Sequence, residues 1–481
     1  MRVTQGLLFQ QALNGVNRHT AAIIDQQQQI TTGRRWTRPS EDPTAASQTL
    51  SAQERKSTLE RYLESVTQAK DRLSSSASAI QLLTDVLGEA KEVAINSINS
   101  TLTPADRVSL AQRLDSVIAQ VLEVGNRNDT YGPLFAGTAS GAPLNLENDI
   151  VSYQGNDGAQ TVAIGDALSL VTNLPASELF YKQSRAKSAF FGGNTGAAPG
   201  TGTDSGLDRG MLNITHLSTS YGNGLGPSGG DTVSGIRPGA SSVASDTVIG
   251  PSGAHTITID HINKTLKLNG GEAVTYTGSE TNLAISDGKG GTVHVNVSNI
   301  TAGFQGTVTI AATGSLSTDG GISTIPINFT GNQVSIDSEN GATTNVNSTN
   351  IRYAGNEVVD YSGTSSLFET LIGLRNDLLN YESMPEATRN ATLQARHREL
   401  NRNFENALVS LADVGSRAKI AETAGSRLLE IRDEVGNVIS NLQDSDFAQV
   451  VVDFNKSQLS LQLAQAAGQR LMQTNFLSFL Q

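Results

Sequence analysis

The 481-residue sequence predicts an α+β chain: elongated, with N- and C-terminal helices pairing into a coiled-coil or helical bundle and a central all-β domain. Three observations predict it. Apolar residues recur every seven positions at both ends of the chain. Two long inner segments keep the same spacing over many turns. Between them the composition shifts to Gly, Thr, Ser and Asn, with short β-rich runs.

At the N-terminus Phe9, Val16, Ile23 and Ile30 fall at sevens with Leu13 on the same face, which predicts a helix over 7–30 that Gly33 ends. Thr37-Arg38-Pro39-Ser40-Glu41-Asp42-Pro43 follows as a turn-rich connection, because each proline removes a donor and fixes φ. A longer helix to about Asn99 carries Leu59, Val66, Leu73, Ile80, Leu87 and Ala94 at strict sevens. Tyr62, Ala69, Leu83 and Ala90 stand three residues further on, as in a coiled-coil seam. Thr103-Pro104-Ala105-Asp106 reads as a helix cap, a first-turn proline and a carboxylate at the third position. The helix it opens runs to about Arg127 with Leu110, Leu114, Val117, Val121 and Val124 along one face.

After Leu134-Phe135-Ala136-Gly137 the strands begin, at 151–154 and 161–164. Residues 192–250 are rich in Gly, Ser and Pro and poor in apolar residues, and are expected to be loop or surface-draped chain. Strands resume at 256–259, 265–268 and 293–297, with weaker candidates at 308–310 and 325–327, and Asn269-Gly270 suits a hairpin turn. Helix returns near Ser366 and stops before Pro385. The longest helix then carries Leu393, Leu400, Ala407, Val414, Ala421, Leu428, Val435 and Leu442. A last helix begins at Ser445 and Asp446, whose side chains suit capping, and holds Phe447, Phe454 and Leu461 at sevens. The domain reading is therefore nested: 1–36 with 446–481, then 37–136 with 365–445, then 137–364 at the centre.

Composition excludes several functions. Net charge is −12 with no basic run beyond Arg34-Arg35, which argues against binding nucleic acid or anionic membranes. Cysteine is absent, so disulfides and thiolate metal sites are excluded. No apolar run approaches the roughly 20 residues of a membrane span, and Met1 to Gly6 lacks the pattern of a secretory signal. The six histidines form no ligand spacing and are expected on the surface or in loops. Gly288-Lys289-Gly290-Gly291-Thr292 lacks the spacing of a phosphate loop and reads as a β-turn. Gly-x-Ser-x-Gly is absent, and Asp444 with Asp446 reads as helix capping rather than an acid pair. No catalytic residue, cofactor or metal is expected.

At Thr31-Thr32-Gly33-Arg34-Arg35 followed by Arg38-Pro39-Ser40-Glu41-Asp42-Pro43-Thr44-Ala45-Ala46 the chain resembles the flagellin family. The Pro39 and Pro43 pair resembles its hook–filament junction branch more than the filament flagellins. Leu102 to Arg107, Leu134 to Gly137, Val151 to Gly158 and the block from Asp446 to Leu480 add to the likeness, which covers roughly 1–190 and 365–481. Glu41 stands where Asp is usual, the closing Phe-Leu-Ser-Phe-Leu-Gln is not the commoner ending, and the central insertion is larger than in familiar junction proteins.

The resemblance implies a rod-like subunit, exported unfolded through the flagellar type III channel, that forms a ring at the hook–filament junction. Its implied partners are further copies of itself, hook protein or another hook-associated protein, flagellin, and an export chaperone. It implies that Phe9, Leu13, Val16, Ile23 and Ile30 pack with Phe454, Leu461, Leu471 and Phe479 at the inner assembly interface. Arg34, Arg35, Pro39, Asp42 and Pro43 would shape the spoke between layers, and the β domain would face outward. The Phe454 face is expected to be free before assembly. A filament flagellin with an enlarged outer domain, and an adhesive or carbohydrate-binding module in the β insertion, are the alternatives.

Overall fold

The computed structural model describes residues 2–99, 101–224 and 229–479, with the side chains of 2–6, 8, 9 and 471–479 left out. The chain divides into two compact units. The first comprises Met1–Leu73, Thr161–Thr172 and Ser416–Gln481, and the second Ser74–Gln160 and Asn173–Gly415.

In chain order the structure opens with α1 (Arg2–Thr32), α2 (Pro43–Ser97) and α3 (Pro104–Gly125). Short strands follow: β1 (Asn128–Asp129), β2 (Gly132–Pro133), β3 (Leu144–Glu147), β4 (Ile150–Tyr153), β5 (Thr161–Gly165) and β6 (Leu168–Val171). Next come α4 (Ala176–Phe180), β7 (Ala189–Phe191), β8 (Ala198–Pro199), β9 (Arg209–Tyr221), β10 (Arg237–Pro238) and α5 (Ser242–Ser245). The β region continues with β11 (Gly250–Asp260), β12 (Thr265–Leu268), β13 (Val274–Thr275), β14 (Leu283–Ser286), β15 (Thr292–Asn296) and β16 (Gln305–Ser317). It closes with β17 (Ile325–Pro326), β18 (Gln333–Ile336), β19 (Thr343–Asn347) and β20 (Gly355–Asp360). Three helices end the chain: α6 (Leu367–Leu379), α7 (Glu386–Gln443) and α8 (Phe447–Phe479).

The heptads are buried as their spacing requires. Leu59, Val66, Leu73, Ile80, Leu87 and Ala94 of α2 all face inward, as do Leu393, Leu400, Ala407, Val414, Ala421 and Leu428 of α7. Helix starts follow the local chemistry. Thr103 Oγ1 accepts from the Asp106 N–H while Asp106 accepts from the Thr103 N–H, a closed capping box with Pro104 at the first helical position. Ser366 and Glu369 repeat the device at α6, which Asn380 ends in the left-handed conformation at φ 53°.

Within the second unit the helical part carries an aromatic cluster, with Phe180 edge-on to Phe135 at 5.9 Å and tilted against Phe368 at 5.6 Å. Its β part is built on an antiparallel sheet in the order β13-β12-β11-β16-β9-β20-β7, with β17 on β16, flanked by three-stranded sheets β10-β15-β14 and β18-β19-β8.

Two expectations are corrected here. Residues 192–250 are not loop throughout, because β9, thirteen residues long, lies inside them and pairs with both β16 and β20. Its buried side carries Leu212, Ile214 and Tyr221 together with His216 and Thr219, the polar pair held by hydrogen bonds instead of by apolar contact alone. The histidines are not all on the surface either. His255 is buried between the Ile249 and Arg352 carbonyls and Asn269, and His216 lies buried beside Thr219. As expected, Gly288–Thr292 is a turn, in which Asp287 Oδ1 accepts from the Lys289 and Gly291 N–H groups.

Candidate assembly interface

The terminal helices meet within the first unit, α1 lying along α8. Their pairing is fixed at one end by backbone. Gly33, at φ +70°, ends α1, its carbonyl accepts from the Ser445 N–H at 2.9 Å, and the Arg35 N–H donates to the Gln443 carbonyl at 2.7 Å. An antiparallel bridge between Arg34 and Asp444 lies between these bonds. The Trp36 indole Nε1–H donates to the Leu442 carbonyl at 3.0 Å, satisfying an acceptor that the end of α7 leaves open. Asp446 caps α8 by accepting from the Ala448 and Gln449 N–H groups, and Ser445 contributes its backbone instead of its side chain.

The connection between α1 and α2 is a hydrogen-bonded turn. Asp42 Oδ1 accepts from the Ala45 N–H at 2.9 Å and Oδ2 pairs with Arg35 at the same distance. The Ala45 N–H and the Arg35 guanidinium hold the Asp42 carboxyl below its ordinary value. Glu41 accepts from the Thr37 and Arg38 N–H groups, which lower its pKa in the same way. Pro43 is the first residue of α2, where its missing N–H costs nothing, and Pro39 is exposed in the turn.

Of the residues singled out on the terminal helices, Val16, Ile23, Ile30, Phe454 and Leu461 are half-buried and Leu13 is 46% exposed. The side chains of Phe9, Leu471 and Phe479 lie outside the described ones. Phe454 thus does not stand free, contrary to expectation, because α1 and α8 already cover one another's inward faces. What remains open is a second stripe on α8: Val452, Leu459 and Leu463 are 50, 58 and 63% exposed and share one helical face. Ile24 on α1 is 52% exposed. The sequence reading passed over this stripe and Trp36, although a lone tryptophan beside Arg34-Arg35 was a usable signal. Of the two aspartates it read as capping, only Asp446 caps α8, Asp444 lying in the bridge to Arg34.

The first unit also holds an apolar groove of about 540 Å³ between α2, the β5–β6 hairpin and α7, walled by Leu59, Ile164, Leu168, Ile420 and Leu428. At its rim Arg55 pairs with Asp166 at 3.2 Å. Among the described residues no group of three or more His, Asp or Glu is placed to hold a metal, and no helix is long and apolar enough to cross a membrane.

Residues 5–139 match the family described as the bacterial flagellin N-terminal helical region. Flagellar hook-associated protein 3 of Salmonella typhimurium is 28% identical over 182 residues, 37% of this chain and 57% of that protein. Its Escherichia coli counterpart is 30% identical over 138 residues, 28% of this chain and 44% of that protein. The match thus spans about half the length of these relatives. A crystal structure of flagellar hook-associated protein 3 from Legionella pneumophila is 15% identical, covers 81% of this chain and 98% of its own, and gives a TM-score of 0.45. Residues 5–139 are therefore similar to the bacterial flagellin N-terminal helical region, and in its matched parts the chain is similar to flagellar hook-associated protein 3.

Proposed function

We propose that this chain is a structural subunit of the bacterial flagellum that joins hook to filament through its paired terminal helices. The observation that carries the reading is the α1–α8 pair, held at its base by the Gly33–Ser445 and Arg35–Gln443 bonds and bearing an open apolar stripe. A pre-paired, half-covered helix couple is a ready surface for further copies of itself. The names of the Salmonella and Escherichia relatives favour the junction.

In this reading the subunit is exported, forms a ring with other copies, and contacts hook protein or a second hook-associated protein on one side and flagellin on the other. A chaperone guards the apolar termini before export. Phe9, Leu13, Val16, Ile23, Ile30, Phe454, Leu461, Leu471 and Phe479 form the inner interface, and Arg34, Arg35, Pro39, Asp42 and Pro43 set the spoke. No catalytic step is assigned. A filament role is the second reading, favoured by the flagellin description of residues 5–139.

Gold-labelled antibody on intact cells, located by electron microscopy, tests this. Label confined to a band at the distal end of the hook supports the junction reading. Label along the filament supports the second reading, and label away from flagella overturns both.

A further inference from the structure

The β part of the second unit repeats itself. The β10-β15-β14 sheet stands beside the β11–β16 ladder, and the β8-β19-β18 sheet stands in the same relation to the β9–β20 ladder. The registers coincide. Arg237 and Pro238 face Asn296 and Val295, while Ala198 and Pro199 face Asn347 and Val346. Leu283 and Ser286 face Val295 and Thr292, while Gln333 and Ile336 face Val346 and Thr343.

The side-chain bonds coincide as well. Asp246 Oδ1 accepts from the His294 N–H at 2.6 Å and lies 3.1 Å from His294 Nδ1. Asp204 Oδ1 accepts from the Asn345 N–H at 2.6 Å and from its Nδ2 at 2.9 Å. Gly239 donates to the His294 carbonyl as Gly200 does to that of Asn345. The Thr292 N–H donates to Thr247 Oγ1 as the Thr343 N–H does to Ser205 Oγ, each at 2.8 Å. Gly235 and Gly196 take φ +78° and +90°, and a Cβ there would stand 1.8 Å from the Asn299 carbonyl oxygen and 1.9 Å from that of Asn350. Only glycine fits either place, and for the same reason.

Aligned on these bonds, Gly235-Ile236-Arg237-Pro238-Gly239 matches Gly196-Ala197-Ala198-Pro199-Gly200. Thr292, Val295, Asn296, Asn299 and Ile300 match Thr343, Val346, Asn347, Asn350 and Ile351. Each set has its own apolar core. Ile236, Ile257, Ile285 and Val295 belong to one, and Leu212, Val346, Ile351 and Val359 to the other.

We propose that one β module is present twice, the second copy nested inside the first. The outer copy is assembled from residues 195–214 and 329–361 and the inner from 234–310. The stretches 215–220 and 311–315 form the antiparallel stem through which the chain leaves one copy and returns. The inner copy folds as its own cooperative unit, and the outer copy keeps its fold without it. The seam between them runs along 247–249 and 352–354. It holds the Val248–Tyr353 bridge, with the Ile249 N–H on the Arg352 carbonyl and the Ala354 N–H on the Thr247 carbonyl. His255 lies against that Arg352 carbonyl and the Tyr353 ring, Tyr353 Oη donates to Asp287, and the inner segment lends Ile249 to the outer core. Chemistry has diverged at one equivalent place, where His294 stands in the inner copy and Asn345 in the outer.

Hydrogen exchange on the full chain tests this, read peptide by peptide. Asp246→Ala is expected to speed exchange in 250–310 by roughly tenfold or more and to leave 343–361 protected. Asp204→Ala is expected to do the reverse. His294→Asn is expected to leave protection in place, because the outer copy already uses Asn there. A further variant replaces 222–309 by Asn-Gly, a two-residue turn between the paired Tyr221 and Ile310, both changed to Thr. It is expected to keep 343–361 protected. Loss of protection in both regions together in either Asp variant, or loss at 343–361 in the excised chain, overturns the proposal.

Discussion

Gly373→Ala turns on a single buried contact. Gly373 lies inside α6, where alanine is ordinarily favoured over glycine by about 1 kcal/mol. Here a Cβ would stand 2.5 Å from Cζ of Arg396. That guanidinium is the end of a long side chain, but it is not free to retreat. It is 4% exposed, paired with Asp208, and 3.8 Å from Asp377, which Arg209 grips through two bonds of 2.7 and 2.6 Å. Breaking a buried pair costs about 3–5 kcal/mol, so the expected net loss is about 2–4 kcal/mol once the helix gain is subtracted. The assay is urea unfolding followed by circular dichroism, with Arg396→Met as the second arm of a cycle. Against Arg396→Met the same Gly373→Ala change is expected to stabilise by about 0.5–1 kcal/mol, since the methionine bends away and the helix term remains. If Gly373→Ala stabilises the unaltered protein, the guanidinium is not held and the reasoning fails.

Three further outcomes are expected. Leu459→Asp and Leu463→Asp should leave monomer unfolding within about 0.5 kcal/mol yet abolish self-association in sedimentation, whereas Phe454→Asp should cost about 2–3 kcal/mol by burying a charge; equal effects would remove the distinction between covered and open stripes. Trp36 is the sole tryptophan, so its emission should shift to the red when 442–481 are deleted, and an unchanged spectrum would detach it from the Leu442 carbonyl at the base of the pair. Burial holds His216 below its ordinary 6.5, against the upward pull of the Val243 carbonyl and Asp246. A depressed folded value means the unfolded chain takes the proton more readily, so this stability is present above 6.5 and lost as the pH falls through the folded value. The protection factor in 209–221, taken relative to the intrinsic exchange rate at each pH, should therefore fall on acidification, and His216→Gln should remove that part of the response.

Periodicity made the helices legible. Leu59 to Ala94 and Leu393 to Leu428 are read correctly because a seven-residue stripe has one inward face whatever it packs on. Capping at Thr103 and Ser366 was equally local, a bond between residues three apart. The site was legible only in part. Composition hid β9, since Thr219 and His216 are inward residues by virtue of partners, Asp246 among them, that lie far along the chain. The nested copies escaped notice because the likeness sits in scattered Gly, Pro, Asp and Asn positions whose roles show only as bonds.

The sequence by itself determined the helices, their inward faces, the capping residues and the class of the chain, because each depends on neighbours within a few turns. Only the tertiary structure decided which terminal stripe is covered and which open, that Trp36 closes the base of the helix pair, and that Arg396 fills the space Gly373 leaves. Those depend on groups brought together from hundreds of residues apart, and no local pattern records which of them meet.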